Sequence, residues 1–111
     1  MADLDPQDAK IVTLARAARG RVVADSGAAV RDTTGRTYAS ANVVLGDLRL
    51  SAIVLAVAQA VAAGAEGLEA VAVDGIDPDT ADFAAITAAG GVGVPVLVLD
   101  GTGAVIRTVT T

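Results

Sequence analysis

Apolar residues fall at helical spacing in the first twenty positions, in short runs bounded by turn residues further on, and without interruption by charge at 50–64. Ile11, Val12, Leu14, Ala15 and Ala18 share one helical face, and Asp5-Pro6-Gln7-Asp8 precedes them. Asp5 suits the N-cap, Pro6 the first helical position and Asp8 the positive end of the dipole, so a helix is predicted from there to a stop at Gly20. A short strand is predicted over 21–24. Residues 27–43, GAAVRDTTGRTYASANV, read as a hairpin around the turn Asp32-Thr33-Thr34-Gly35. Gly46-Asp47 marks a loop into a helix that ends near Gly64. Residues 68–73, LEAVAV, form a buried strand, and Asp77-Pro78-Asp79-Thr80 repeats the first helix's start signal. That second signal opens a helix through Phe83 and Ile86 to Gly90-Gly91. Residues 94–99, VPVLVL, are continuous enough to be buried on both faces. Asp100-Gly101-Thr102-Gly103 then turns the chain back into an antiparallel edge strand at 104–109.

The predicted order is α-ββ-α-β-α-ββ in one domain spanning 1–111. Three helices and about five strands imply an α/β fold, a three-layer α/β/α sandwich around a mixed sheet. Segment 50–64, LSAIVLAVAQAVAAG, carries no charge, one amide (Gln59) and one hydroxyl (Ser51). It falls short of the roughly 20 residues that a membrane span needs, and Arg49 closes it on one side. A helix apolar all round must be covered on most faces. The sheet is expected to cover one face and a second subunit the next.

Composition narrows the chemistry. The chain is 53% hydrophobic but only 2% aromatic, so its apolar mass is mostly Ala and Val. Small side chains bury less area each, which leaves part of the stability to an oligomer interface. The formal charge is −5, and from Glu66 onward seven acidic residues face one basic residue, Arg107. No basic patch interleaved with aromatics is present, so nucleic acid is not an expected partner. There is no Cys and no His, hence no disulfide, thiolate nucleophile, imidazole base or usual zinc ligand. The N-terminus lacks the basic and apolar regions of a signal peptide, and a cytoplasmic protein without membrane contact is expected.

The pattern before and after the uncharged helix resembles the cytidine deaminase family. Gly27-Ala28-Ala29 matches the family's G-A-A, Gly35 its turn, and Tyr38 and Asn42 its second strand. Ser51-Ala52-Ile53 stands where C-A-E opens the central helix, and Pro78-Asp79-Thr80-Ala81-Asp82 where P-C-x-x-C opens the next. The resemblance covers roughly residues 8–109 and implies the deaminase fold, with dimers or tetramers built through the central helix. It also implies a zinc ion on three Cys, or one His and two Cys, and a Glu that moves protons to and from the base. The departures concentrate in that chemistry. The ligand positions hold Ser51, Asp79 and Asp82, and the proton-shuttling position holds Ile53. Val44 replaces the Glu of the family's ribose-contacting N-x-E, and Ala24 its pyrimidine-packing Phe.

Each remaining polar residue has an ordinary and a functional reading. Asp79 and Asp82, with Ser51, either start helices or form a weak oxygen site for Mg²⁺ or Ca²⁺. Asn42 either satisfies local backbone or meets a ribose hydroxyl. Ser51 reads as an N-cap, since a nucleophile needs a base that the sequence does not place beside it. Arg49 is a solvated side chain or an interface partner. Gly90-Gly91-Val92-Gly93 follows a helix instead of opening one, so it reads as a C-cap and connector, not a phosphate loop. The expected protein is a non-catalytic deaminase-like scaffold without metal or other cofactor, a homodimer or homotetramer through 50–64, with an unidentified protein partner possible. The alternative is a vestigial nucleoside or small-metabolite binding module, or weak deaminase-related enzyme, using Asn42, Ser51, Asp79 and Asp82.

Overall fold

Helix α1, Pro6–Arg21, starts as its sequence dictates: Asp5 caps it, its carboxylate accepting the Gln7 N–H at 2.8 Å. The structure, a computed structural model, describes residues 4–111. Ile11, Val12, Ala15 and Ala18 form the buried stripe. The end of the helix corrects two expectations, because neither a stop at Gly20 nor a strand at 21–24 is found. The helix runs through Arg21, and Val23 then adopts φ +52°. Ala24 N–H reaches the Arg19 carbonyl at 3.0 Å and Val23 N–H the Gly20 carbonyl at 3.4 Å. This pair of bonds is a Schellman exit, with valine in the left-handed slot that glycine usually fills.

The hairpin follows as β1, Gly27–Asp32, and β2, Thr37–Ala41. The region expected to be a loop around Gly46-Asp47 is a second hairpin, β3 (Val43–Leu45) paired with β4 (Leu48–Leu50). Gly46, at φ +59°, supplies its two-residue turn. The uncharged segment is helix α2, Ala52–Ala62, capped by Ser51. Strand β5 is Leu68–Asp74, helix α3 Thr80–Gly90, strand β6 Pro95–Leu99 and strand β7 Val105–Thr110. The strands lie in the order β2-β1-β5-β6-β7. Only β5 and β6 run parallel, joined across the sheet by α3, and the other pairs are antiparallel. The mixed five-stranded sheet between helical layers is the predicted sandwich, with the β3–β4 hairpin added.

Helix α1 covers one face of the sheet through Ile11, Val12 and Ala15 over Ala29, Ala70 and Ala72. Helices α2 and α3 cover the other, over Val30, Val71, Val73 and Val96. Alanine and valine dominate the buried set, so the layers approach closely instead of interlocking through long side chains. Gly27 shows how closely: a Cβ there would stand 2.1 Å from the Ala15 carbonyl oxygen. On α2, Ile53, Ala56, Val57 and Ala60 are buried, whereas Ala58, Val61 and Ala62 face solvent. The cover expected from a second subunit is therefore supplied in part by α3, and one small-residue face stays open.

Two interactions fix the frame, one between distant residues and one within a turn. Arg19, on α1, threads past Gly27, Gly75 and Gly101 to reach the buried Asp74 carboxylate at 3.3 Å, and its Nε donates to the Ala24 carbonyl at 3.1 Å. In the first hairpin the buried Asp32 carboxylate organises the turn. Its Oδ1 accepts from the Thr34 hydroxyl (2.7 Å), the Thr34 amide (2.9 Å) and the Arg36 amide (3.0 Å), and its Oδ2 from the Tyr38 hydroxyl (3.0 Å). The Thr34 hydroxyl is the largest influence holding this carboxyl below its usual range, against the opposing effect of burial. Burial, and then Asp32 itself, push the Tyr38 hydroxyl up.

The strained exit of α1 gives one prediction. A valine in the left-handed region costs about 1–2 kcal/mol, and glycine returns about 0.5–1 kcal/mol of that in chain entropy. Val23→Gly is therefore expected to raise stability by about 0.5–1 kcal/mol in urea denaturation. The hairpin turn gives a second. Because the folded carboxyl of Asp32 titrates below the unfolded value of about 3.9, its contribution is present above that pH and is lost as pH falls through the folded value. The stability gap between the native chain and Asp32→Asn should thus be full near neutral pH and shrink on acidification below about pH 4, which thermal melts across pH will read.

Candidate functional site

A cleft of about 420 Å³ opens where the starts of α2 and α3 meet the end of β5, with the β3–β4 hairpin as its outer wall. That volume lies within the roughly 300–1,000 Å³ typical of small-molecule sites. Ile53, Ala52 and Val73 form its apolar floor, and Asn42, Arg49 and Asp79 lie along its polar rim.

The centre of the site is a closed set of hydrogen bonds. Ser51 Oγ accepts the Val54 N–H at 3.0 Å and donates to Asp82 Oδ1 at 2.5 Å. Asp82 Oδ2 accepts the Asp79 N–H at 3.0 Å, while Asp79 Oδ1 accepts the Asp82 N–H at 2.9 Å. Asp79 and Asp82 thus form a reciprocal capping box at the start of α3. Ser51 joins that box to the start of α2. The sequence signal had pointed to Asp77 and Pro78 as the start of α3, and the cap is instead Asp79, with Thr80 the first helical residue. Asp77 lies outside the helix and pairs with Arg107 at 3.4 Å on the surface.

The structure brings three predicted residues, Ser51, Asp79 and Asp82, into mutual contact. Both oxygens of Asp82, Oδ1 of Asp79 and the hydroxyl of Ser51 already take part in hydrogen bonds within the protein. Asp82 is only 6% exposed. Among the described residues no group of three or more His, Cys, Asp or Glu side chains is placed to hold a metal ion. Asn42, the fourth predicted residue, stands at the opposite wall. Its Oδ1 accepts the Ser26 N–H at 3.0 Å and its own N–H donates to the Ser26 carbonyl at 3.1 Å, which is the backbone-satisfying role.

Val44 and Arg49 line the cleft, but Ala24 does not. Ala24 belongs to a concavity on the α1 side of the sheet, because the Schellman exit turns the chain that way before Ser26 enters the cleft. The sequence reading also missed Ser26, Val43, Leu50 and Ile76, all lining residues. The one available signal was for Ser26, which directly precedes Gly27-Ala28-Ala29. The hairpin residues carried none, since their segment reads as loop. Three aspartates (Asp77, Asp79 and Asp82) line the cleft against one arginine, Arg49.

This arrangement of helix starts, sheet order and cleft is that of a known family. The family model described as Cytidine deaminase-like matches residues 4–103, and the chain belongs to that family. Among solved structures, it is similar to cytidine deaminase from Burkholderia pseudomallei, with 24% identity, a TM-score of 0.75, and coverage of 92% of this chain and 89% of that one. Cytidine deaminase from Mycobacterium leprae gives 21% identity and a TM-score of 0.73, covering 96% of this chain and 94% of that one. A point mutant of the Mycobacterium tuberculosis cytidine deaminase gives 20% identity and a TM-score of 0.76, covering 97% and 92%. No curated protein matches the chain. At these identities the solved structures establish the shared fold.

The closed bond set predicts a stability cost for opening it. Ser51→Ala removes the cap of α2 and one of the partners of a buried carboxylate, with an expected loss of about 2–3 kcal/mol. Ser51→Thr, which keeps the hydroxyl, should lose less than half of that, and chemical denaturation of the three proteins measures the difference.

Proposed function

We propose that this chain is a non-catalytic, homo-oligomeric member of its family that serves as a structural or protein-interaction scaffold in the cytoplasm. The observation that carries the reading is the hydrogen-bonded closure of Ser51, Asp79 and Asp82 at the positions where, by resemblance, the family places its zinc ligands. The residues present do not fit such an ion. They include no thiolate or imidazole, and the oxygens of Asp82 and Ser51 already serve one another and the helix starts. Ile53 adds to this, because it is 1% exposed, lies under the cleft and carries no ionisable proton.

The open face of α2 supports self-association. Ala58, Val61 and Ala62 are exposed there, and small residues let a second helix approach closely. Among the described residues no helix is long and apolar enough to cross a membrane.

A second reading keeps the pocket in use. The cleft stays open at about 420 Å³, and Asn42 and Arg49 stand at its wall, which supports a vestigial site for a nucleoside or small metabolite. The two readings separate by experiment. For the scaffold, melting temperature should rise with protein concentration, and sedimentation should show a dimer or tetramer. A folded monomer persisting at nanomolar concentration would remove the shared-core argument. For the binding module, calorimetric titration with cytidine, uridine and nucleotides, with and without Mg²⁺, should give micromolar binding that disappears in Asn42→Ala. The scaffold reading expects no heat.

A further inference from the structure

The main sheet has two edges, β2 and β7, and the fold treats them differently. At β2 the outward Ala39 carbonyl accepts the Gln59 Nε2 at 3.2 Å, and α1 and α2 both pack against the strand. At β7, among the described residues, β6 is the only element that packs extensively. The phase of the β6–β7 ladder shows which groups are left open. Thr111 N–H reaches the Val94 carbonyl at 3.0 Å, and Pro95, which has no N–H, stands opposite Thr110. Antiparallel ladder bonds alternate, so Arg107 and Val109 turn their backbone groups toward β6, while Thr108 and Thr110 turn theirs outward. Both threonines are exposed, and no turn, loop or side chain among the described residues bonds their backbone groups.

This open row is suited to pairing. The bulge in β7 lies at its start, opposite Leu99, and residues 107–110 beyond it are regular. Thr108, Val109 and Thr110 are β-branched, and the stretch holds neither the Pro nor the Lys that blunts many sheet edges. Its one charge, Arg107, is engaged by Asp77 at 3.4 Å. A row of free backbone donors and acceptors selects another extended backbone as its partner. Thr108-Val109-Thr110 reads the same in both directions, so an antiparallel copy of this strand is its own complement.

We propose that β7 pairs antiparallel with β7 of a second copy, across a two-fold axis at Val109, and joins the two sheets into one. Thr108 then exchanges backbone bonds with the partner's Thr110, and Thr110 with the partner's Thr108. The two Val109 side chains meet in the closer, non-hydrogen-bonded pair. An axis at Arg107 would set two guanidinium groups opposite each other, and an axis at Thr108 would run each strand into the bulge of the other. The strand ends match as well. Ile106, 60% exposed, stands at one end of β7, and Val92, 84% exposed, lies by the other, in the loop that bonds Thr111. Antiparallel pairing carries the Ile106 end of each copy to the Val92 end of the other. Helix α2 packs on β1 and β2, at the far end of the sheet, so this interface is separate from the open α2 face and does not depend on it.

The test is amide hydrogen exchange in the full chain, followed residue by residue at micromolar and at near-millimolar concentration. The Thr108 and Thr110 amides should slow by about tenfold or more at the higher concentration, with Arg107 and Val109 protected at both. Thr108→Lys combined with Thr110→Lys sets like charges opposite across the axis and should abolish the slowing, even though it reduces the net negative charge and with it the general repulsion between copies. Thr108→Lys combined with Thr110→Glu sets opposite charges face to face and should keep it. Because both side chains are exposed, each variant should keep the melting temperature of the dilute native chain. Exchange at Thr108 and Thr110 that is equally fast at both concentrations would overturn the proposal, even if the chain sediments as an oligomer, since α2 would then be the interface. Slowing produced by an unrelated Thr/Val-rich peptide but not by concentration would overturn the second copy as the occupant. Slowing that survives the double-lysine variant, or is lost equally in both variants, would overturn the pairing at Val109.

Discussion

One buried carboxylate holds the site together. Asp82 lies where the N-termini of α2 and α3 converge, and both helices present unpaired amides and the positive end of their dipoles there. Left alone, two like ends would repel and leave donors unsatisfied. Asp82 answers both problems, one oxygen taking the Ser51 hydroxyl and the other the Asp79 amide. The placement of Ile53 on the floor and of Asp79 on the rim follows from that junction. A metal ion could join two helix starts through side-chain ligands, and here side chains and backbone amides do it directly.

The rest of the architecture follows from small side chains. With alanine and valine filling most of the interior, cohesion comes from close approach of backbones more than from large buried surfaces. Gly27 lets α1 settle against β1, and Arg19 passes through space that Gly27, Gly75 and Gly101 leave clear. A substitution that adds bulk at these points displaces an element, not merely a side chain. The same economy of size leaves α2 with a smooth exposed face of Ala58, Val61 and Ala62.

Much of this was legible in the chain, because the signals were local. The caps at Asp5 and Ser51, the hairpin around Asp32–Gly35 and the apolar run at 94–99 each announce themselves within a few residues. The grouping of Ser51, Asp79 and Asp82 came from family resemblance, and helix geometry alone would not have paired residues 31 apart. What the sequence hid was non-local or broke a preference. The Arg19–Asp74 pair spans 55 positions. Gly20 looked like a helix stop because glycine usually is one, yet the left-handed residue is Val23, so the true exit and the turn of Ala24 away from the cleft were both obscured. The β3–β4 hairpin was missed because three-residue strands are too short for alternation to register.

That hairpin has a consequence for anything that enters the cleft. It forms a two-stranded sheet of its own, hydrogen-bonded to neither edge of the main sheet, and it exposes Val44, Leu45 and Leu48. Two strands alone are marginal in water, so this wall sits at the low end of the molecule's local stabilities. Its amides should exchange with solvent through openings that leave the sandwich intact. The folding of this wall is therefore coupled only loosely to the sandwich beneath it, because no ladder hydrogen bonds join the two sheets.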